Sequence, residues 1–389
     1  MQTKWNLKRV NYLAHLWLGL ILGLYFVVIG ITGSLLVFGR EIDLWLNPQL
    51  LTVKVEGEKV PLSVVMANFK AAYPTLKASY INYPTQADGS YSIRIGPNQA
   101  SQLYVYLNPY TGKVIGDRTR AGHLYGFLCY LHFYLLFGQA GWTANGYGAI
   151  LVTVMLLTGL WLWWPNARAG ASVWQSRFRI KAGMGLKKLL YDIHNVAGIY
   201  PLAFSLIFTL TTLEFVFPDV TKKVVYALTG EVAAPKVVVK PKGQAKDLDE
   251  LVRIGDAALE GNIRRVSFPS SASAPLTMRK EWEDWNVNRN HASLSIDPYE
   301  GKVVQIEDTR NAGLGRKIIQ YCIPLHFGLW GGVPVKILYV LLGLIPLASF
   351  VTGFWHWRLR EQAAKEVAGK MAAAKERLAS RAYSGSLGD

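Results

Sequence analysis

The sequence predicts a helical membrane protein: four transmembrane helices in a duplicated, parallel-repeat bundle, with two α+β domains outside the membrane. Three observations carry that expectation. Four long apolar stretches alternate with long polar ones. Basic residues gather in three short segments that flank the apolar stretches. Motifs of the first half recur in the second half in the same order.

The elements follow in chain order. Residues 1–38 hold a basic start (Lys4, Lys8, Arg9) and the first span, LAHLWLGLILGLYFVVIGITGSLLVF from Leu13 to Phe38. An apolar run of about 18–20 residues or more is a span candidate. It exceeds the roughly 7–15 apolar residues of a cleavable signal, and no clear small-residue cleavage site follows, so a retained anchor is expected. Residues 39–145 form the first polar region and return to the membrane through an apolar segment around Leu131-His132-Phe133. The second span covers 146–164, and a basic loop follows at 165–188, carrying Arg168, Arg177, Arg179, Lys181, Lys187 and Lys188. The third span covers 189–217. The second polar region, 218–334, returns through Leu325-His326-Phe327. The fourth span covers 335–357, and the tail 358–389 continues as an Ala/Lys/Glu/Arg-rich helix whose last residues, Ser384 to Asp389, read as disordered.

Orientation follows from the basic segments. The N-terminus, the 165–188 loop and the tail share one side if all four stretches cross, and an excess of Lys and Arg marks that side as cytoplasmic. Both termini are then cytoplasmic, and the two long regions lie outside. The net charge of +16 and pI near 9.7 also suit nucleic-acid binding. Much of the excess sits beside spans, however, so topology and membrane lipid account for it and no nucleic-acid partner is expected. A mean hydropathy of +0.17 is too apolar for a typical soluble chain and too polar for one wholly in the membrane.

The repeats are explicit. Asn108-Pro109-Tyr110-Thr111-Gly112-Lys113 matches Asp297-Pro298-Tyr299-Glu300-Gly301-Lys302, each between alternating strand patterns. Thr158-Gly159-Leu160-Trp161-Leu162-Trp163 matches Thr352-Gly353-Phe354-Trp355-His356-Trp357. Two spans per repeat place both repeats in the membrane in the same direction, related by an axis along its normal.

Four histidines recur with the repeat. His15 and His194 sit in spans one and three, each with a glycine four residues on (Gly19, Gly198) and a threonine at a common offset (Thr32, Thr211). His132 and His326 occupy the two re-entry segments. An ionisable residue in an apolar run is costly and points to function. A pseudo-twofold pairs His15 with His194 and His132 with His326. Neutral imidazole ligates iron, copper, zinc or nickel. A bare zinc ion normally takes four ligands, whereas haem brings four nitrogens and needs only axial ones. Two haem b groups are therefore expected, held non-covalently because no C-x-x-C-H occurs. His356 is an alternative ligand, and His123 reads as interfacial. Arg118, Arg120 and Arg310 offer guanidinium forks to haem propionates, or stand as solvated charge. Cys129 and Cys322 precede His132 and His326 and are expected as free thiols, with a disulfide as the alternative. No nicotinamide or flavin fold is evident, so electrons come from a quinol or a cytoplasmic reductase.

With these residues in place, the chain up to about Arg360 resembles the PepSY-associated transmembrane family, which includes iron-regulated inner-membrane proteins and siderophore-iron reductases of the FoxB kind. The resemblance carries the turns Asn108–Lys113 and Asp297–Lys302 and the His-x-x-x-Gly spans. It implies periplasmic PepSY-like domains, haem-dependent reduction of ferric siderophore iron, and axial ligation by His15, His194, His132 and His326. A non-redox module that binds peptide or regulates a protease, and a haem or metal transporter, are the alternative readings.

Overall fold

The computed structural model describes all residues except 1–5, 98, 167, 182, 233, 236, 283–290 and 386–389. Lys4 and the last four residues of the tail thus lie outside the described residues.

The helices begin with α1 (Leu7–Val37), then the short α2 (Gly39–Leu46) and α3 (Pro48–Leu51). The first polar region supplies α4 (Leu62–Ala72), β1 (Ala78–Asn82), β2 (Tyr91–Ile95), β3 (Leu103–Leu107) and β4 (Val114–Thr119). The helix α5 (Leu124–Tyr134) precedes α6 (Gly138–Trp163) and α7 (Ala171–Arg177). Then come α8 (Leu186–Ile199), α9 (Leu202–Val216) and α10 (Pro218–Thr229). The second polar region supplies α11 (Leu248–Ala258), β5 (Asn262–Ser267), β6 (Leu276–Glu281), β7 (His291–Asp297) and β8 (Lys302–Asp308). The helix α12 (Leu314–Phe327) precedes the long α13 (Gly332–Gly385).

Among the described residues, α1, α6 and α13 are long and apolar enough to cross a membrane; α8 and α9 together make a fourth candidate, bent by 54° at the break. The expected third span is thus broken. Pro201 explains it: a proline lacks the N–H of the helical ladder and its ring crowds the carbonyl four residues back.

The chain divides into two compact units. One holds Met1–Ile31, Leu151–Leu206 and Leu342–Asp389; the other holds Thr32–Ile150 and Ile207–Leu341.

The second unit contains the sheet. The two polar regions, expected as two α+β domains, share a single eight-stranded antiparallel sheet in the order β4-β3-β2-β1-β5-β6-β7-β8. Each half supplies one helix and four strands, and β1 joins β5 through Tyr80↔Ser267, Ile81↔Val266 and Asn82↔Arg265. An unpaired strand edge is a liability; pairing β1 with β5 removes one edge from each half. The alternation in β2 puts Tyr91, Ile93 and Ile95 inside and Ser92 and Arg94 on the other face. The inner residues join Val65 and Phe69 of α4, Leu251 of α11, and Val105, Val266, Met278, Leu294 and Ile296 in one core. The twin turns are built alike. Asn108 Oδ1 accepts from the Tyr110 N–H at 2.8 Å, and Asp297 Oδ1 accepts from the Tyr299 N–H at 2.8 Å. Gly112 and Gly301 then take φ of 70° and 68°, a region costly to other residues.

Candidate functional site

In the first unit, His15 rises from α1 and His194 from α8. Their ring centroids lie 6.2 Å apart with planes at 78°. Each ring is held by its Nδ1. His15 Nδ1 lies 3.1 Å from the Met155 carbonyl and 3.2 Å from Thr158 Oγ1. His194 Nδ1 lies 2.9 Å from the Ser349 carbonyl and 3.4 Å from Thr352 Oγ1. A carbonyl only accepts, so Nδ1 carries the proton and Nε2 keeps its lone pair, the form of imidazole that ligates a metal.

The helices opposite make room for the rings with glycine. A Cβ on Gly159 would fall 2.8 Å from His15 Cε1, and one on Gly353 would fall 2.9 Å from His194 Cε1. The Thr-Gly steps of the repeated span ends therefore seat the two histidines: threonine beside Nδ1, glycine beside Cε1. Gly19 and Gly198, one turn beyond the histidines, have nothing within 4 Å of where a Cβ would be. The cavity they border has a volume of about 370 Å³ and is lined mainly by apolar side chains, with Tyr12, Tyr191, Asn195, His356 and Arg360 among its polar residues. That is within the range of small-molecule and cofactor sites.

These residues fit a haem. A metal–imidazole bond of roughly 2.0–2.1 Å, with a ring radius added on each side, puts two axial rings about 6 Å apart between centroids. The His15–His194 separation agrees, the donor set is two neutral imidazoles, and the walls are apolar and cut back by glycine. Among the described residues no group of three or more His, Cys, Asp or Glu is placed to hold a metal ion, so the donor set does not suit bare zinc.

The second unit holds the other pair. His132 of α5 has Nδ1 2.9 Å from Thr32 Oγ1; His326 of α12 has Nδ1 2.7 Å from Thr211 Oγ1. His326 is boxed by Phe208, Phe215 and Phe327, with ring centroids 5.7, 5.2 and 5.5 Å away. Asn145 ties the His132 end of α5 by donating to the carbonyls of His132 and Phe133 at 2.6 and 3.0 Å. Beyond His132 the backbone turns left-handed at two leucines, Leu135 (φ 48°) and Leu136 (φ 66°); the second repeat uses Gly328 (φ 65°) after His326.

The remaining expected residues take these places. His356 lines the first unit's cavity, with Nδ1 3.3 Å from the Lys187 carbonyl and its ring 5.4 Å from Tyr191. His123 precedes α5, with Nδ1 3.1 Å from the Thr119 carbonyl. Arg118 forks onto the Asp43 carboxylate at 2.8 and 2.6 Å. Arg120 is buried, donates from Nε to Gln102 Oε1 at 2.9 Å, and lies 5.5 Å from the centre of the Tyr134 ring. Arg310 bonds Asp308 at 2.7 Å and Glu260 at 2.6 Å. Those bonds, Asp308 first, raise the Arg310 guanidinium above its ordinary value. Burial pushes Asp308 up, but its bonds with Arg310 outweigh that and hold the carboxyl below the usual range. Cys129 and Cys322 are free and half-buried. Sequence reasoning passed over Tyr12, Asn195 and Arg360 as cavity residues. A usable signal was the position of Arg360 three residues beyond the end of an apolar span.

A comparison with curated proteins found no match. The family described as the PepSY-associated TM region matches residues 12–360. That span takes in all four recurring histidines and both halves of the sheet, and the chain belongs to the PepSY-associated transmembrane family.

Proposed function

We propose that this membrane protein is a b-type dihaem electron-transfer protein of the bacterial inner membrane that reduces ferric siderophore iron in the periplasm during iron uptake. The observation that carries the reading is the His15–His194 pair: ring centroids 6.2 Å apart, with both Nδ1 atoms engaged by carbonyls. The spans form a duplicated four-helix bundle, with both termini cytoplasmic and the sheet periplasmic.

His15 and His194 hold one haem, and His132 and His326 the other. Bound haem supplies a one-electron carrier. The protein's own residues do the rest. The Met155 and Ser349 carbonyls accept from Nδ1 of His15 and His194, and Thr211, which donates to the Ile207 carbonyl, receives the N–H of His326, which keeps these three Nε2 atoms unprotonated; Thr32 holds the His132 ring at Nδ1. Gly19 and Gly198 leave a slot free of side chains, and Gly159 and Gly353 make room for the two imidazole rings. Arg360, with its guanidinium 5.0 Å from the Tyr12 ring centre, gives the first unit's cavity a cationic end for carboxylates. Each ferric ion takes up one electron, drawn from a quinol or a cytoplasmic reductase. Ferrous iron binds hard oxygen chelators more weakly, so the chelate then releases it.

The test is anaerobic. Purified protein is reduced chemically, freed of reductant and mixed with a ferric siderophore while a ferrous-selective dye records product. Reoxidation of the protein in step with ferrous iron, lost in His194→Ala, is the expected result. A protein that stays reduced in the presence of the chelate overturns the substrate assignment, and a colourless one overturns the redox reading.

A further inference from the structure

The sheet face opposite α4 and α11 has a chemistry of its own. Along β2, β1, β5 and β6 the register sets Arg94 against Tyr80, Asn82 against Arg265 and Arg265 against Arg279. Two arginines directly opposite each other on adjacent strands repel and destabilise a sheet. Their local compensation is partial. Arg265 Nε donates to the neutral Asn82 Oδ1 at 2.9 Å. Arg279 Nε lies 3.6 Å from Glu281, beyond hydrogen-bond reach, and that carboxylate already takes Arg264 Nε at 3.2 Å. Among the described residues Arg279 Nε is buried without a hydrogen-bond partner. Burial pulls the Arg279 guanidinium below its ordinary value; Glu281 opposes this and Arg265 adds to it. The site is also aromatic: the guanidinium of Arg265 lies 4.1 Å from the Tyr80 ring centre and that of Arg94 lies 5.2 Å from it. The Arg279 side chain remains 29% exposed, so the cluster is open to a solute.

We propose that the Arg94–Tyr80–Arg265–Arg279 cluster binds an anionic ferric chelate of the tris-catecholate class and discriminates against uncharged tris-hydroxamate complexes. This rests on the ferric-chelate reductase reading and names its substrate class. Doubly deprotonated catecholates around a ferric ion leave the complex strongly negative, whereas singly deprotonated hydroxamates leave it neutral. Guanidinium forks match paired oxygens on a planar ligand, and a tyrosine flanked by guanidiniums gives a catechol ring a surface to stack on. An anion set between Arg265 and Arg279 converts their repulsion into shared attraction.

The experiment uses the full-length protein in nanodiscs and gallium(III) complexes, which match the ferric ones in charge and are not reduced. Binding therefore does not depend on electron transfer, and its failure is distinct from failure of the reductase reading. Equilibrium dialysis should show the gallium tris-catecholate binding at least about tenfold more tightly than a gallium tris-hydroxamate, with affinity falling as salt rises. The double variant Arg265→Gln/Arg279→Gln removes two charge-assisted contacts and should weaken binding about tenfold or more. It also relieves a like-charge contact, so its melting temperature should not fall. Lys242→Gln, at an exposed ion pair with Glu300, should bind as the parent does. Equal affinity for the two complexes, or full affinity in the double variant, overturns the proposal. Tighter binding of a glutamate-rich peptide than of the gallium catecholate also overturns it and assigns the face to a protein partner.

Discussion

The Thr211 hydroxyl stands 2.7 Å from Nδ1 of His326 and 2.6 Å from the carbonyl of Ile207. It donates to that carbonyl, so it receives the imidazole N–H, and His326 is fixed with its Nε2 lone pair free. A hydrogen bond at the far nitrogen makes an imidazole a more basic ligand. On the dihaem reading, Thr211→Val should therefore raise the midpoint potential at His326, because a less basic ligand favours ferric iron less. Thr211→Ser should restore the parent value. Redox titration of the purified variants checks this; equal potentials in all three would show the contact to be packing only.

Gly353 is a steric test of the His194 seat. A Cβ there lies 2.9 Å from His194 Cε1, so Gly353→Ala must displace the ring. Gly159→Ala does the same to His15. On the dihaem reading, each should remove or shift one haem spectrum and leave the other. Gly19→Leu is the converse case. Open space surrounds that position, so the fold should hold while haem content falls, because the new side chain occupies the cofactor slot. Absorbance per protein concentration distinguishes the outcomes.

Asp43 and Arg118 form a buried ion pair, their side chains 7% and 9% exposed. Removing one partner strands the other charge, which costs about 3–5 kcal/mol at buried sites. Asp43→Ala should destabilise the β3–β4 end of the sheet by that order, and limited proteolysis should cut there first. Lys54→Ala breaks a solvent-exposed pair, with side chains 84% and 50% exposed, and should change stability by less than about 1 kcal/mol.

Leu135 carries a left-handed backbone at φ 48°, which costs a non-glycine residue roughly 1–2 kcal/mol. Leu135→Gly should raise the thermal midpoint, measured by circular dichroism, without loss of haem. A lowered midpoint would mean that the leucine side chain contributes more than the backbone costs.

Much of this was legible in the sequence because membranes punish polarity. A histidine in an apolar run stands out, and repetition at a common offset names its partner, so His15 and His194 could be paired before their geometry was known. The twin Asx-Pro turns were equally plain, since only a few residue types satisfy that backbone. The shared sheet was not legible. Whether β1 and β5 close two sheets or join one depends on edge pairing between strands nearly two hundred residues apart (Tyr80 with Ser267), and a period of two reads the same either way. The break at Pro201 was hidden by averaging hydropathy over the whole stretch. The cavity walls were hidden for another reason: Tyr12, Asn195 and Arg360 come from three distant segments, and no local pattern links them. The Thr-Gly steps were visible as a repeat, but their contact with the histidines required coordinates.

The most direct measurement is haem stoichiometry. A pyridine haemochrome assay on the purified full-length protein should give two haem b per chain, falling to one in His194→Ala and to one in His326→Ala. Protein that is folded yet carries no haem, or whose haem content is unchanged in both variants, would contradict the account.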